Sequence, residues 1–166
     1  MRVLEGRLEI DDIDSFVVDI GEIADSHDVT IQAFDARYVA GRRHLERAVE
    51  LADRAIDRGE NVARDRAVEI LLYAAGRRQI DRALEMGVSE GENRAVVVVD
   101  GEGDEVGAVE ALREMSAFVA EEPTLGTDDE ETIRSYFAIT DAERAATDAT
   151  LADLVRERVA LLEVEK

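Results

Sequence analysis

Apolar and polar residues alternate at Val3, Leu8 and Ile10, which predicts a strand over Met1 to Ile10, broken at Gly6. Ile13 to Ala24 is apolar enough for a short helix, and VTIQAFDA over Val29 to Ala36 alternates as a half-buried strand does. The chain therefore opens like a βαβ unit. From Gly41 the period lengthens: Leu45, Ala48, Val49, Ala52 and Ile56 fall on one stripe of a helix that Gly59 is placed to end. The next helix is expected from about Arg64 to Ala75. Its stretch AVEILLYAA is apolar on nearly every face, the pattern of a central helix packed on both sides, and Gly76 can supply a left-handed cap.

Arg77, Arg78 and Gln79 open another short helix, with apolar positions at Ile80, Ala83, Leu84 and Met86 and a stop at Gly87, so two helices meet at Gly76. Ala95 to Val99, AVVVV, is continuous and β-branched, which is how a central strand covered on both faces reads. The spacing of Val106, Val109, Leu112, Met115 and Val119 predicts a helix over Val106 to Val119, followed by the only proline, Pro123, in a loop. Thr127 with Glu130, and Thr140 with Glu143, match the capping box that satisfies free amides at a helix start, so two more short helices are expected. Leu151, Leu154, Val155, Val159 and Leu162 form an amphipathic last segment, helical at least to Arg158. The fold class expected is α/β (α+β), a single domain over 1–166 with a small mixed or antiparallel central sheet covered by several helices.

A length of 166 residues fits one domain. Aromatics are only 4% and tryptophan is absent, so the core must be built from Val, Leu, Ile and Ala. Charge changes the picture most: 40 acidic residues against 20 basic ones give a net of -20, and Lys166 is the only lysine. Such a surface suits a cytoplasm full of salt, of the kind a halophilic archaeon keeps, where charge preserves solubility and screening reduces self-repulsion. The absence of cysteine excludes a disulfide framework and a thiolate metal site. No run of 18 apolar residues and an acidic N-terminus lead to the expectation of a soluble, cytoplasmic protein with no membrane partner.

The charges are unevenly spread. Residues 37 to 82 hold eleven arginines and eight acids, a local excess of positive charge in a strongly anionic chain. Most of these arginines are expected to pair with carboxylates at helical spacing, as with Asp53 and Asp57 around Arg54 and Arg58. Arg77, Arg78 and Arg82 stand apart, because one helix ends just before them and a new one begins there. Planar guanidinium groups beside free amides suit a phosphate or a stacked base.

Other chemistry is weakly supported. GEGDEVG at Gly101 to Gly107 has the wrong spacing for a dinucleotide loop, and Glu102, Asp104 and Glu105 would repel a pyrophosphate. The twelve-residue calcium-loop spacing is missing there too. His27 and His44 have no metal-type partner at i+4 and read as surface or capping residues. No pair of carboxylates stands out as acid and base.

IQAFDARYVAG, HLERAVELADRAI and above all EILLYAAGRRQIDRALEMGV, with RERVALLEV near the end, resemble the PRPK-binding-protein family, the small kinase-binding subunit of the KEOPS complex. The resemblance covers Val29 to Val99 and Leu151 to Val164, and is weak over 101–148. It implies a non-catalytic subunit without cofactor, metal or small-molecule substrate, in a complex that installs threonylcarbamoyl on adenosine at position 37 of tRNA. Its implied partners are the kinase-like ATPase subunit, through it the rest of KEOPS, and the tRNA 3′ CCA tail. The matching motif residues are Glu69, Ile70, Ala74, Gly76, Arg78, Gln79 and Ile80. Gly76, Arg77, Arg78 and Gln79, with Arg82 adjoining, are the expected RNA contacts, while Ile70 and Ala74 are expected in the core. The segment Leu45 to Ile56 and the last amphipathic segment are candidates for the kinase-facing surface. The alternative is a protein-only kinase-docking regulator in which the arginines merely balance carboxylates.

Overall fold

The run AVVVV lies in the middle of strand β3 (Gly91–Asp100), with β1 (Arg2–Ile10) on one side and β2 (Thr30–Asp35) on the other; β4 (Phe118–Glu121) pairs with the outer edge of β1. This computed structural model describes residues 1–126 and 129–165. All three strand pairings are antiparallel, and the order is β2-β3-β1-β4. The sequence therefore places β3 correctly as an interior strand: Ala95 to Val99 are all buried, with Ala95, Val97 and Val99 on one face and Val96 and Val98 on the other. The βαβ opening is split, because β3 is inserted between β1 and β2. Together these elements give the mixed α/β class with an antiparallel sheet.

Contacts divide the described chain into two units, each made from two stretches. The sheet unit, 1–36 with 87–124, contains all four strands, helix α1 (Ile13–His27) and helix α5 (Glu105–Arg113). Phe16 and Ile20 of α1 and Ala108, Val109 and Leu112 of α5 pack into one core with Leu4, Leu8, Ile10 and the β3 valines. Asp12 caps α1 by accepting from the Asp14 amide at 3.1 Å, and Asp104 caps α5 by accepting from the Gly107 amide at 2.9 Å. In the loop GEGDEVG the Gly103 and Asp104 amides donate to Asp28 and His27 carbonyls at 3.0 and 2.8 Å, so it seals the end of α1. His27 closes the last turn of that helix through Nδ1, 2.8 Å from the Ile23 carbonyl.

Two expectations fail here. Gly6 does not break β1; it lets β4 approach, because a Cβ at that position would lie 2.4 Å from the Ala120 carbonyl oxygen and 2.7 Å from the Phe118 ring. The helix expected over Val106 to Val119 ends at Arg113, and Val119 belongs to β4. The apolar spacing from Met115 to Val119 mimics a further helical turn, but the main chain of Phe118 to Glu121 is taken up by pairing with Gly6 to Leu8.

The helical unit, 37–86 with 125–166, is built on α2 (Arg42–Asp57), α3 (Arg66–Ala75) and α8 (Leu151–Glu165), with the short helices α4 (Ile80–Ala83), α6 (Glu130–Tyr136) and α7 (Asp141–Ala145). Seven consecutive residues of α3, Glu69 to Ala75, are buried, as expected for a central helix. Leu154, Val155, Val159 and Leu162 of α8 are buried, and α8 packs on α2 and α3. The apolar stripes of α2 and α8 thus meet inside their own unit. Thr140 caps α7 from its hydroxyl, accepting from the Glu143 amide at 3.1 Å, as the capping box predicts. Thr127 lies outside the described residues; α6 is capped by Asp129, whose carboxylate accepts from the Thr132 amide at 3.2 Å. Asp53 bonds Arg66 in a bidentate pair at 2.7 and 2.9 Å rather than a neighbour on its own helix.

Charge separates the two units as sharply as topology does. The sheet unit holds four of the twenty cationic residues and twenty of the forty carboxylates; the helical unit holds the other sixteen cations and twenty carboxylates.

Candidate functional site

Helix α3 ends at Gly76, whose φ of 63° is the left-handed conformation that glycine adopts without strain. A Cβ there would sit 3.3 Å from the Arg158 carbonyl oxygen, so the backbone that approaches Gly76 closely is that of α8. Arg158 in turn holds the turn after α6, donating to the Phe137 carbonyl at 3.1 Å and to the Ala138 carbonyl at 3.3 Å. It also grips Glu143 through two bonds of 2.9 and 2.6 Å, and this hydrogen bonding keeps the Glu143 carboxyl below its usual pKa. Arg158 is the structural arginine of the site, and its role has no counterpart in the local sequence pattern.

His44 sits beneath this junction and corrects the expectation of a surface residue. It is 1% exposed, accepts from the Ala40 amide through Nδ1 at 3.1 Å and donates through Nε2 to the Ala74 carbonyl at 2.7 Å. Its ring meets Phe137 edge to face at 5.6 Å. Burial lowers its pKa to about 4, against the Ala74 carbonyl, which favours the charged form. A neutral imidazole thus ties the start of α2 to the end of α3.

The predicted site residues are brought to one corner of the helical unit, but in different ways. Arg77 is half-buried: it donates to the Tyr136 carbonyl, its guanidinium lies 4.8 Å over the Tyr136 ring, and no carboxylate pairs with it among the described residues. Its Nε is buried and unsatisfied. Arg78 and Gln79 are exposed. Arg82 is held loosely, 3.9 Å from Glu85 with both side chains more than half exposed, and such a pair contributes little. Helix α4 is a single turn of four residues with no side-chain cap, so its end offers little dipole and the site rests on side chains. Ile80 and Leu84, expected to face inward, are 44% and 57% exposed and one turn apart; only Ala83 and Met86 of this segment are buried.

Arg77 and Arg82 open onto a recess of about 420 Å³ that the sequence does not reveal. Tyr38, from the 3-10 turn Ala36–Tyr38, and Tyr136 of α6 form its aromatic wall, with ring centroids 5.1 Å apart at 72°. Glu85, Glu131, Thr132 and Ser135 supply its polar lining. The Tyr136 hydroxyl donates to the Arg82 carbonyl at 2.8 Å, which fixes α4 against α6. Burial raises the Tyr136 pKa, opposed by the Arg77 guanidinium. One signal was available: the chain has only 3 tyrosines, and two of them line this recess. No cluster of potential metal ligands occurs among the described residues, and no described helix is long and apolar enough to cross a membrane.

These features define a small mixed α/β protein with a polar, aromatic-walled recess at a helix junction, an arrangement suited to binding. Residues 14–163 match the family described as kinase binding protein CGI-121, and the chain belongs to that family. The match includes EILLYAAGRRQI and the whole recess. A comparison with curated protein sequences yields no match.

Proposed function

We propose that the protein is a non-catalytic subunit of the KEOPS tRNA-modification complex that binds the kinase-like ATPase subunit and recruits tRNA through its unpaired 3′ CCA end. Kinase binding follows from the family. The RNA part is supported chiefly by one observation: beside Arg77 and Arg82 lies a tyrosine-walled recess in which Arg77 faces an aromatic ring and not a carboxylate. Unpaired ends are the part of RNA whose bases can stack on rings and guanidinium planes and offer their edges to a side chain such as Gln79. Stacking contributes about 1 to 3 kcal/mol per base and survives salt, whereas counterion release contributes little in concentrated salt. A chain of net charge -20 can therefore bind RNA at this corner.

A gel-shift titration in multimolar KCl with intact tRNA and with tRNA lacking CCA tests this. Intact tRNA is expected to bind more tightly, and Arg78→Ala and Arg82→Ala to weaken it without lowering the melting temperature, since both side chains are exposed. Arg77 is less suited to the test because it also holds α6. Equal binding of both RNAs, or none, favours the second reading, a protein-only docking regulator. That reading has its own support in Ile80 and Leu84, which present an apolar pair on the same turn.

A further inference from the structure

We infer that salt concentration gates the sheet unit and not the helical unit: in dilute salt α1 and residues 8–10 of β1 lose their fixed structure, while α2 and α3 keep theirs, whatever the protein binds. The sheet unit sets four arginines against twenty carboxylates, whereas the helical unit sets sixteen cations against the same number. The difference is carried by particular elements. Helix α1 has Asp14, Asp19, Glu22 and Asp25 and no arginine or lysine. Asp19, Glu22 and Asp25 follow one another at three-residue spacing, so like charges are neighbours along one exposed row, and Asp25 also stands in the last turn, where the helix dipole disfavours an anion.

None of these three carboxylates has a hydrogen-bond or ion-pair partner among the described residues. The sheet repeats the pattern. Between β1 and β3, Glu9 lies directly opposite Glu92 and Arg7 directly opposite Arg94, and like charges in facing positions are destabilising. Arg7 relieves part of this by reaching Glu92 and Glu122, each at 3.4 Å, and Glu9 is left without a partner among the described residues. Helix α2 is arranged the other way. Arg42 meets Glu46 at 2.9 Å, and Glu50 is held between Arg47 and Arg54 at 2.8 and 3.3 Å, so its neighbouring charges attract.

Screening therefore acts on the two units with opposite sign. At about 1 M salt the Debye length is about 3 Å, shorter than the roughly 5 to 6 Å between side chains three or four apart on a helix; at about 0.01 M it is about 30 Å. Dilution thus strengthens the repulsion along α1 and between Glu9 and Glu92, and it strengthens the attraction along α2. The influence of salt on apolar burial moves both units in the same direction and cannot produce this divergence. Local opening of one part of a domain ahead of the rest is the expected form of the response.

The test is hydrogen exchange of the full chain, read peptide by peptide, as KCl is lowered from multimolar to about 0.01 M. Protection of α1 and of residues 8–10 is expected to fall by about five- to tenfold or more at salt concentrations where α2 and α3 still exchange as before. Two variants separate the local pattern from net charge. Glu22→Arg turns both like-charge neighbours on α1 into attractive ones and is expected to hold its protection in dilute salt within about twofold of the concentrated-salt value. Glu60→Arg makes the same change in net charge at an exposed position of the helical unit and is expected to leave α1 as salt-sensitive as the wild type. Loss of protection in both units together, loss in the helical unit first, or no loss in either overturns the inference. So does a Glu22→Arg profile that matches that of Glu60→Arg.

Discussion

Acidification is expected to loosen the helix junction through His44. The imidazole is neutral in the folded protein down to about pH 4, whereas in the unfolded chain it takes a proton near its ordinary value of 6.5. Between those values the unfolded state binds the extra proton, so stability present above pH 6.5 is lost as pH falls towards 4. One pKa unit corresponds to about 1.4 kcal/mol, so the loss amounts to about 3 kcal/mol, a large share of a typical domain's stability. Protonation at Nδ1 would also remove the acceptor for the Ala40 amide. The measurement is urea unfolding from neutral pH to pH 4 on the wild type and on His44→Gln, which retains a donor and an acceptor but cannot titrate. Carboxylates titrate in both proteins, so the difference between the two profiles isolates His44. It is expected to narrow by about 3 kcal/mol across the window. Parallel profiles, or an imidazole that titrates in the folded protein near 6.5 by NMR, would refute the argument.

Gly76→Ala is expected to cost about 1 to 2 kcal/mol by thermal unfolding, since the residue must hold a φ of 63° with its new methyl 3.3 Å from the Arg158 carbonyl. Glu69 is fully buried and accepts from the Val62 amide at 3.0 Å and the Ala63 amide at 3.3 Å. Glu69→Ala is expected to lose about 2 to 4 kcal/mol in the same assay and Glu69→Gln roughly half of that, because the amide oxygen can still accept. Equal losses for the two Glu69 variants would show that volume, not hydrogen bonding, is what the site needs.

The sequence was most informative where one element could settle its own pattern. The stripe of α2, the all-round apolar α3 and the β-branched core of β3 are dictated by residues within each segment, and all three are found where the periodicity places them. Glycine at position 76 likewise announces its left-handed cap. Pairing order was not legible, because which strand lies beside β1 depends on the close approach that Gly6 permits, a property of two distant segments. The same limit hid His44: its burial comes from Ala74 and Phe137, and nothing in its own neighbourhood distinguishes it from an exposed histidine. Ile80 and Leu84 sit at helical spacing, yet α4 is too short to bury both. Of the residues expected at the site, Arg77 and Arg82 line the recess and Gly76, Arg78 and Gln79 do not; Tyr38 comes to it from the turn before α2, and Glu131, Ser135 and Tyr136 through the packing of α6.

The recess draws on three parts of the chain: the turn at Tyr38, the junction at Arg77, and α6, whose Tyr136 lies 59 residues beyond Arg77. During synthesis the ribosome delivers the arginines long before the tyrosine and the carboxylate of α6 that complete the cavity. A nascent chain stopped before α6 would carry the cationic residues of the 37–82 segment, with Tyr38 and Glu85, but not Glu131, Thr132, Ser135 and Tyr136, which complete the recess. Late closure of long-range contacts therefore delays completion of the recess until most of these residues have emerged.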